Sequence, residues 1–406
     1  MTDTIAPGPG PESAQPEGST IDAAAVDRQI RRGLRLVPTP AHWVLLGVAL
    51  VAYLVLPQIL NDAWAFVFVY AGILALAGVG LNLLTGVGGQ ASLGTAAFFA
   101  IGAFTASYLG RASDLGGKGQ PFIVYFVAAI VIGGAVGFVA GLPALRLRGP
   151  YLVIVTLGLV YLTAYVLNLW TEVSGGGSGA QAPMSLQVVG IDFRPDQGTN
   201  QRMSYLVWFV VAVAALLVRN VVRSRPGRAL QAIRDRDVAA EVVGISLFRY
   251  KVGAFVLSSA LGAAAGVFYV FYLGHPTADT QMFGLTLSVA VLSVVVVGGI
   301  GSMSGTIVGA VLIAAIPKLV NDYGTEVPFV SPGSLVSYGS IVVAALLVIT
   351  LITQPGGIAA LASSAWNGIV RPLSGTPGSG SGAVDVTPLT QPLVPKPDKD
   401  ADPSIE

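Results

Sequence analysis

The sequence predicts an all-α, polytopic membrane protein of about ten transmembrane helices, and three observations carry that prediction. Of its 406 residues 53% are hydrophobic and only 11% charged, with a mean hydropathy of +0.74, whereas soluble domains carry roughly 25% charge. Apolar segments close to the roughly 20 residues needed to cross a bilayer recur along the chain, near 43–60, 64–84, 94–109, 122–142, 151–170, 205–218, 252–273, 285–300, 305–320 and 334–352. The basic residues are sorted to alternate connections, as the positive-inside rule requires.

Taken in order, residues 1–40 form a tail whose first half is rich in Pro, Gly, Ser and acidic groups, too polar to bury a core and expected to be disordered. Arg28, Arg31, Arg32 and Arg35 precede the first apolar run and hold this tail in the cytoplasm. The Arg31–Arg32 pair does not read as an export signal, because the apolar segment is long and no small-residue cleavage site follows.

The membrane domain covers residues 41–360. Starting inside, the inner connections carry Arg146 and Arg148, then the basic segment 219–251, then the tail with Arg371. The outer connections carry Asp62, then Arg111, Asp114 and Lys118, then Glu172, Asp192, Arg194, Asp196 and Arg202, then Asp279, then Asp322 and Glu326. This sorting places both termini in the cytoplasm. The segments at 94–109 and 305–320 are short and glycine-flanked, so each is a candidate broken or re-entrant helix. Gly133, Gly137 and Gly141, and Ala254, Ser258, Gly262 and Gly266, repeat every four residues and form small-residue ridges for close helix packing. Residues 372–406, rich in Gly, Ser and Pro, read as a flexible tail.

Segment 219–251 concentrates charge between two apolar segments: eight Arg or Lys stand against Asp235, Asp237 and Glu241. Pro226 opens a helix and Gly244 closes it. Along that helix Leu230, Arg234, Asp237 and Glu241 share one face, and Ala229, Ile233, Ala240 and Val243 the other, with Arg236 in its middle. Such a helix is what a permease offers to a cytoplasmic motor subunit; the alternative is an ordinary solvated loop helix.

Several chemistries are excluded. Without cysteine the chain has no disulfide, thiolate metal site or cysteine nucleophile, and His42 and His275 sit in no metal-binding spacing. No G-x-x-x-x-G-K-[ST] is present, so there is no P-loop. The apolar centres of the ten segments hold no ionisable group, which argues against a proton relay, and the net charge of +1 gives no field to steer nucleic acid. The polar groups inside the segments are neutral: Asn82, Gln90, Ser92, Thr95, Thr156, Asn168, Ser258, Ser259, Ser288 and Ser293. They line a path for a zwitterionic or uncharged solute, or they bond helix to helix. Gln90 and Ser92 are the stronger candidates for function, since the glycines of residues 86–94 permit irregular backbone at membrane depth.

The runs GGQASLGTAAFFAIGAFTASYL, LRLRGPYLVIVTLGLVYL, PGRALQAIRDRDVAAEVVGISLFRYKVGAFVLSSALGAAAGVFY, VVVVGGIGSMSGTIVGA and QPGGIAAL resemble, in order, segments of branched-chain amino acid ABC-transporter permeases of the Liv type, over about residues 67–361. The resemblance implies a type II importer fold and a second, homologous permease. It also implies two cytoplasmic ATPases that hydrolyse the ATP, so that this chain needs no cofactor, and an extracytoplasmic solute-binding protein. By position, Gly227, Arg228, Ala240, Glu241 and Gly244 match the family's cytoplasmic coupling motif, to which Arg234 and Asp237 are added by their spacing. Gly89, Gln90, Ser92, Leu93 and Gly94 match its glycine-rich membrane motif, and the expected translocation path is Asn82, Gly89, Gln90, Ser92, Thr95 and Thr156. Thr95 stands where the family often has histidine, Ser174–Ser178 departs from its usual double-glycine outer loop, and Gly356 replaces a common basic residue. The cargo implied is leucine, isoleucine or valine, with urea or a short-chain amide as the rival within the family. An ion-gradient-driven carrier or channel and a membrane scaffold are the rivals from other classes.

Overall fold

Helices that are apolar all round their circumference must find apolar neighbours on every side, in other helices or in lipid, and the chain divides its helices between these two solutions. The computed structural model describes residues 53–111, 120–144, 150–183, 186–188, 191–193, 200–279 and 281–323, with isolated positions 342, 345 and 348. After a short helical stretch at 53–59, the helices are α1 (Asp62–Leu81), α2 (Thr95–Leu109), α3 (Phe122–Ala144), α4 (Pro150–Leu169), α5 (Thr171–Ser174), α6 (Asn200–Arg223), α7 (Arg225–Asp235), α8 (Asp237–Val242), α9 (Leu247–Leu273), α10 (Leu285–Gly298) and α11 (Met303–Tyr323). A two-residue antiparallel ladder, β1 (Gln187–Val188) with β2 (Ile191–Asp192), is the sheet seen among the described residues.

Six helices are long and apolar enough to cross a membrane among the described residues, and α2 and α10 are shorter apolar helices. These eight coincide with eight of the expected segments; those at 43–60 and 334–352 lie largely outside the described residues, as do both tails. One expectation is corrected. Segment 305–320 belongs to a full-length helix, α11, and the short helix of that pair is α10, which stops at Gly298 where Gly299 turns to φ +111°.

α1 and α9 form the centre. In α1 83% of the apolar window is buried, against 22% in α6, so α6 leaves most of its apolar surface uncovered by the rest of this chain, as α3, α4 and α11 also do. α9 packs against α1, α2 and α3, and α1 against α6, α9, α10 and α11. Helix contact in lipid rests on close approach of small residues, and the ridge on α3 shows this in register. A Cβ on Gly133 would meet Ala263, one on Gly137 would meet Ser259, and one on Gly141 would meet Phe255. The α9 ridge facing α3 is therefore Phe255, Ser259 and Ala263. Gly262 and Gly266, in the four-residue repeat read from sequence, turn toward Phe98 and Phe99 of α2.

The tightest crossing is α2 on α9: a Cβ on Gly102 would stand 1.9 Å from the Ala263 carbonyl oxygen, and one on Gly266 would stand 2.2 Å from that of Phe99. Both lie on backbone, which cannot step aside as a side-chain tip can. Gly102→Ala is expected to force the two helices apart at a cost of about 1–3 kcal/mol, read as earlier thermal unfolding in detergent. Gly158→Ala, where an added Cβ meets nothing within 4 Å, is the control and is expected to leave the transition in place.

At the end of the molecule away from the arginine cluster, Arg111 donates to the carbonyls of Glu172 (2.6 Å) and Val173 (2.8 Å). Asn168 donates to Ala278 (2.7 Å), and the Ala180 and Ala182 amides donate to Pro276 and Gly274. These bonds tie the end of α4 and the segment after it to the turn that follows α9 and, through Arg111, to the end of α2.

Candidate functional site

At Asn82 the central helix α1 widens into a π-helical turn, Asn82–Val87, a form often found at functional sites. The turn ends the helix and frees carbonyls that need other partners. Gly88 N–H donates to Leu83 (3.0 Å), Gln90 N–H reaches back to Leu84 (3.1 Å), and Thr85 Oγ1 donates to the Gln90 carbonyl (3.1 Å). The chain then runs through a loop to α2. That loop is pinned by hydroxyls: Thr156 Oγ1 of α4 accepts from Leu93 N–H (3.0 Å), Ser92 Oγ from Gly94 N–H (3.2 Å), and Ser288 Oγ of α10 from Ala96 N–H (3.0 Å). Thr95 is buried in the first turn of α2.

Asn82 is the hub beneath the turn. Its Nδ2 donates to Thr306 Oγ1 (2.9 Å), and its Oδ1 accepts from Gly301 N–H (2.7 Å). One buried amide thus ties the π turn to the α10–α11 turn, where Gly301 sits at φ +88°.

Gln90 behaves differently. Its side chain is 6% exposed, and neither Nε2 nor Oε1 has a hydrogen-bond partner. Buried polar atoms are nearly always paired. An amide left orphaned in one isolated subunit marks a place where something else, a solute, a water or a neighbouring chain, supplies the partner.

The charged segment folds against this same place. Ser224 ends α6 and precedes α7, in which Pro226 lies in the first turn, where its missing N–H costs nothing. Gly227 makes the corner, since a Cβ there would lie 2.0 Å from the Val222 carbonyl oxygen. Leu230 is buried in a cluster with Leu83, Leu84, Val87 and Val218. One turn further on, Arg234 Nη1 donates to the Gly86 carbonyl of the π turn. Gly89, at φ +67°, lies so close that a Cβ there would stand 2.8 Å from Arg234 Cγ.

The single helix expected from Pro226 to Gly244 is corrected: it breaks at Arg236, which is extended at φ −152° and ψ 101°. A second helix, α8, starts with Asp237, whose Oδ1 accepts from Val238 N–H (2.9 Å) and whose charge suits a helix N-terminus. The expected four-residue face is thereby split. Leu230 and Arg234 face the glycine loop, while Glu241 is exposed on α8. Of the predicted apolar face, Ala229, Ile233 and Ala240 are buried but Val243 is 81% exposed. Arg228 is exposed, with Nη1 donating to the Arg223 carbonyl (3.2 Å). Gly244, at φ +87°, lets the chain leave α8. An apolar cavity of about 330 Å³ remains between α7 and α9, lined in part by Leu83, Leu230, Tyr250 and Ala254.

The structure therefore brings Asn82, Gly89 and Arg234 together and joins Ser92 to Thr156 through the loop backbone. It leaves Arg228, Glu241 and Gly244 on the outside, and Arg234 itself stays exposed apart from its contacts with Gly86 and Gly89. Sequence reasoning placed Gly86 in the irregular glycine run without its role as acceptor for Arg234, missed Gly301 and Thr306, and left Ser288 among the undifferentiated polar groups. The glycine run that contains Gly301 was visible, but its partner in space was not.

The model of the family described as "Branched-chain amino acid transport system / permease component" matches residues 64–351. The high-affinity branched-chain amino acid transport system permease protein LivM of Salmonella typhimurium (strain LT2) is 31% identical over 300 residues, which cover 69% of this chain and 66% of that relative. LivM of Escherichia coli (strain K12) is 29% identical over 333 residues, covering 75% and 74%. The permease protein LivH of the same transport system, also from Escherichia coli (strain K12), is 25% identical over 293 residues, covering 70% and 90%. No solved structure matches the chain.

Proposed function

We propose, from the premise that this chain belongs to the family of branched-chain amino acid transport permease components, that it is one permease subunit of an ATP-driven importer for leucine, isoleucine or valine. In this reading it forms the translocation path with a second, homologous permease. Two cytoplasmic ATPases drive it, and an extracytoplasmic solute-binding protein delivers the cargo. The arrangement is a type II importer of about ten spans, in the cell's inner membrane, with both termini in the cytoplasm.

The observation that best supports this reading is the docking of α7 on the π turn and glycine loop. A charged helix pair at the basic end, accessible to a soluble subunit, rests on an irregular backbone segment at membrane depth. Such backbone is tolerated only against protein or a water-lined cavity. Two states of the path then differ in how α7 and the loop are placed, and ATP binding to the partner biases them.

The cargo is tested by uptake of labelled leucine and labelled urea in cells with and without the chain. Loss of leucine uptake with urea uptake intact is expected; the reverse contradicts the reading. The docking face is tested separately. Glu241 is exposed on α8 beside Val238 and Val242, which are 59% and 83% exposed, an apolar pair with an acid at its edge. Glu241→Lys is expected to weaken ATPase copurification by about tenfold; unchanged copurification removes Glu241 from that contact.

A further inference from the structure

We propose that Arg234 is the positioning residue that carries movement of α7 into the loop of residues 86–94: a contact inside the subunit, not a contact with the ATPase. The proposal rests on the importer reading above and names the residue through which that coupling passes.

Arg234 caps a carbonyl that the π turn has freed. Gln90 N–H turns back to Leu84, and the Gly86 oxygen takes the guanidinium of Arg234 instead. A hydrogen bond from a permanently charged donor is roughly twice as strong as a neutral one. Its aliphatic stem fills the space over Gly89, where only a glycine fits at φ +67° with Arg234 Cβ and Cγ 3.2 Å and 2.8 Å from an added Cβ. The same guanidinium approaches the α10–α11 turn, with Nη1 4.0 Å from a Cβ built on Gly301. Gly301 is in turn bonded to Asn82, and Asn82 to Thr306. One side chain of α7 thus touches the loop at two points and lies beside the turn that closes it from below. An apolar cavity of about 330 Å³ lies beside α7, between it and α9. Leu230 and Arg234, one turn apart, make α7 a lever seated on the π turn.

The natural absence of cysteine makes the test direct. Ala91, exposed in the loop, is replaced in an Ala91→Cys variant of the full chain, assembled with its ATPases in membrane vesicles that expose the cytoplasmic face. The rate of maleimide labelling of this subunit is measured with and without ATP plus vanadate. With Arg234 present the trapped nucleotide is expected to change the rate by at least about fivefold. In the Arg234→Ala background the rate is expected not to respond, although ATP hydrolysis and ATPase copurification persist. Arg234→Lys, which retains one donor for the Gly86 carbonyl, is expected to restore part of the response; a residue that merely stabilises the fold would give no such graded return.

A nucleotide response that is the same with Arg234→Ala overturns the proposal. So does a labelling rate that nucleotide never changes with Arg234 present, and so does loss of the ATPase from the Arg234→Ala complex, which would place the arginine at the docking face. Failure of the importer reading itself looks different: no ATPase copurifies even with Arg234 intact.

Discussion

Gln90→Leu is expected to cut solute uptake by roughly 10–100-fold, the worth of a lost hydrogen bond to a charged group, while leaving the folded chain as stable as before or more so. The two effects have opposite signs because the Gln90 amide is buried with both polar atoms unpartnered. Burying an unpaired polar group costs about 1–3 kcal/mol, and a side chain of similar size without polar atoms removes that cost. The solute is taken as the partner that this amide lacks in the isolated chain. Uptake kinetics and thermal unfolding of the same variant decide the matter. Normal uptake would remove Gln90 from the path.

Asn82→Leu is expected to have the largest structural effect of any single polar substitution in the site. Two bonds are lost together, to Thr306 Oγ1 and from Gly301 N–H, both at a side chain that is 1% exposed. The Gly301 N–H is left without its acceptor, so the expected loss of stability is about 1–3 kcal/mol. Thr306→Val keeps the Gly301 contact and loses the bond from Asn82 together with the hydroxyl's own donation to the Ser302 carbonyl (2.9 Å); it is expected to cost less, about 0.6 kcal/mol for the interhelical bond. Thermal unfolding of the two variants side by side checks the ratio. An effect of Asn82→Leu no larger than that of Thr306→Val would contradict the expectation that the Gly301 contact holds the π turn from below.

Much of the fold was legible because hydropathy reports length directly: α1, α3 and α9 begin and end within a few residues of where the apolar runs do. Hydropathy does not report which neighbour covers a helix. Apolarity alone does not say that α1 is central and α6 is not; the difference lies in small residues, since α1 carries Gly72, Gly78 and Gly80 against neighbouring helices and α6 carries no glycine. The small-residue ridge on α3 was visible, but its complement on α9 runs one residue away from the expected one, through Phe255, Ser259 and Ala263. Phe255 is not small, and the repeat rule passed over it.

The site was legible in its parts and not in its joining. The glycine loop announced irregular backbone, and the arginines announced a cytoplasmic helix. Their meeting depends on Arg234 finding Gly86, a pair separated by 148 residues, which no local pattern encodes. The break at Arg236 did have a signal. Asp237 is a residue that starts helices, and its side chain does bond the next backbone N–H. The longer periodic pattern outweighed that signal, and the charges at Asp237 and Glu241 were assigned to a face they do not share with Arg234.

The central claim is that this subunit transports only when a separate ATPase moves its basic helix pair, and labelled-leucine flux into proteoliposomes tests it most directly. The complete complex, with its solute-binding protein outside and ATP inside, is expected to accumulate leucine. Accumulation is expected to stop when ATP is withheld and when Arg234→Ala is introduced. Concentration of leucine by this chain alone, without ATPase or nucleotide, would contradict the account.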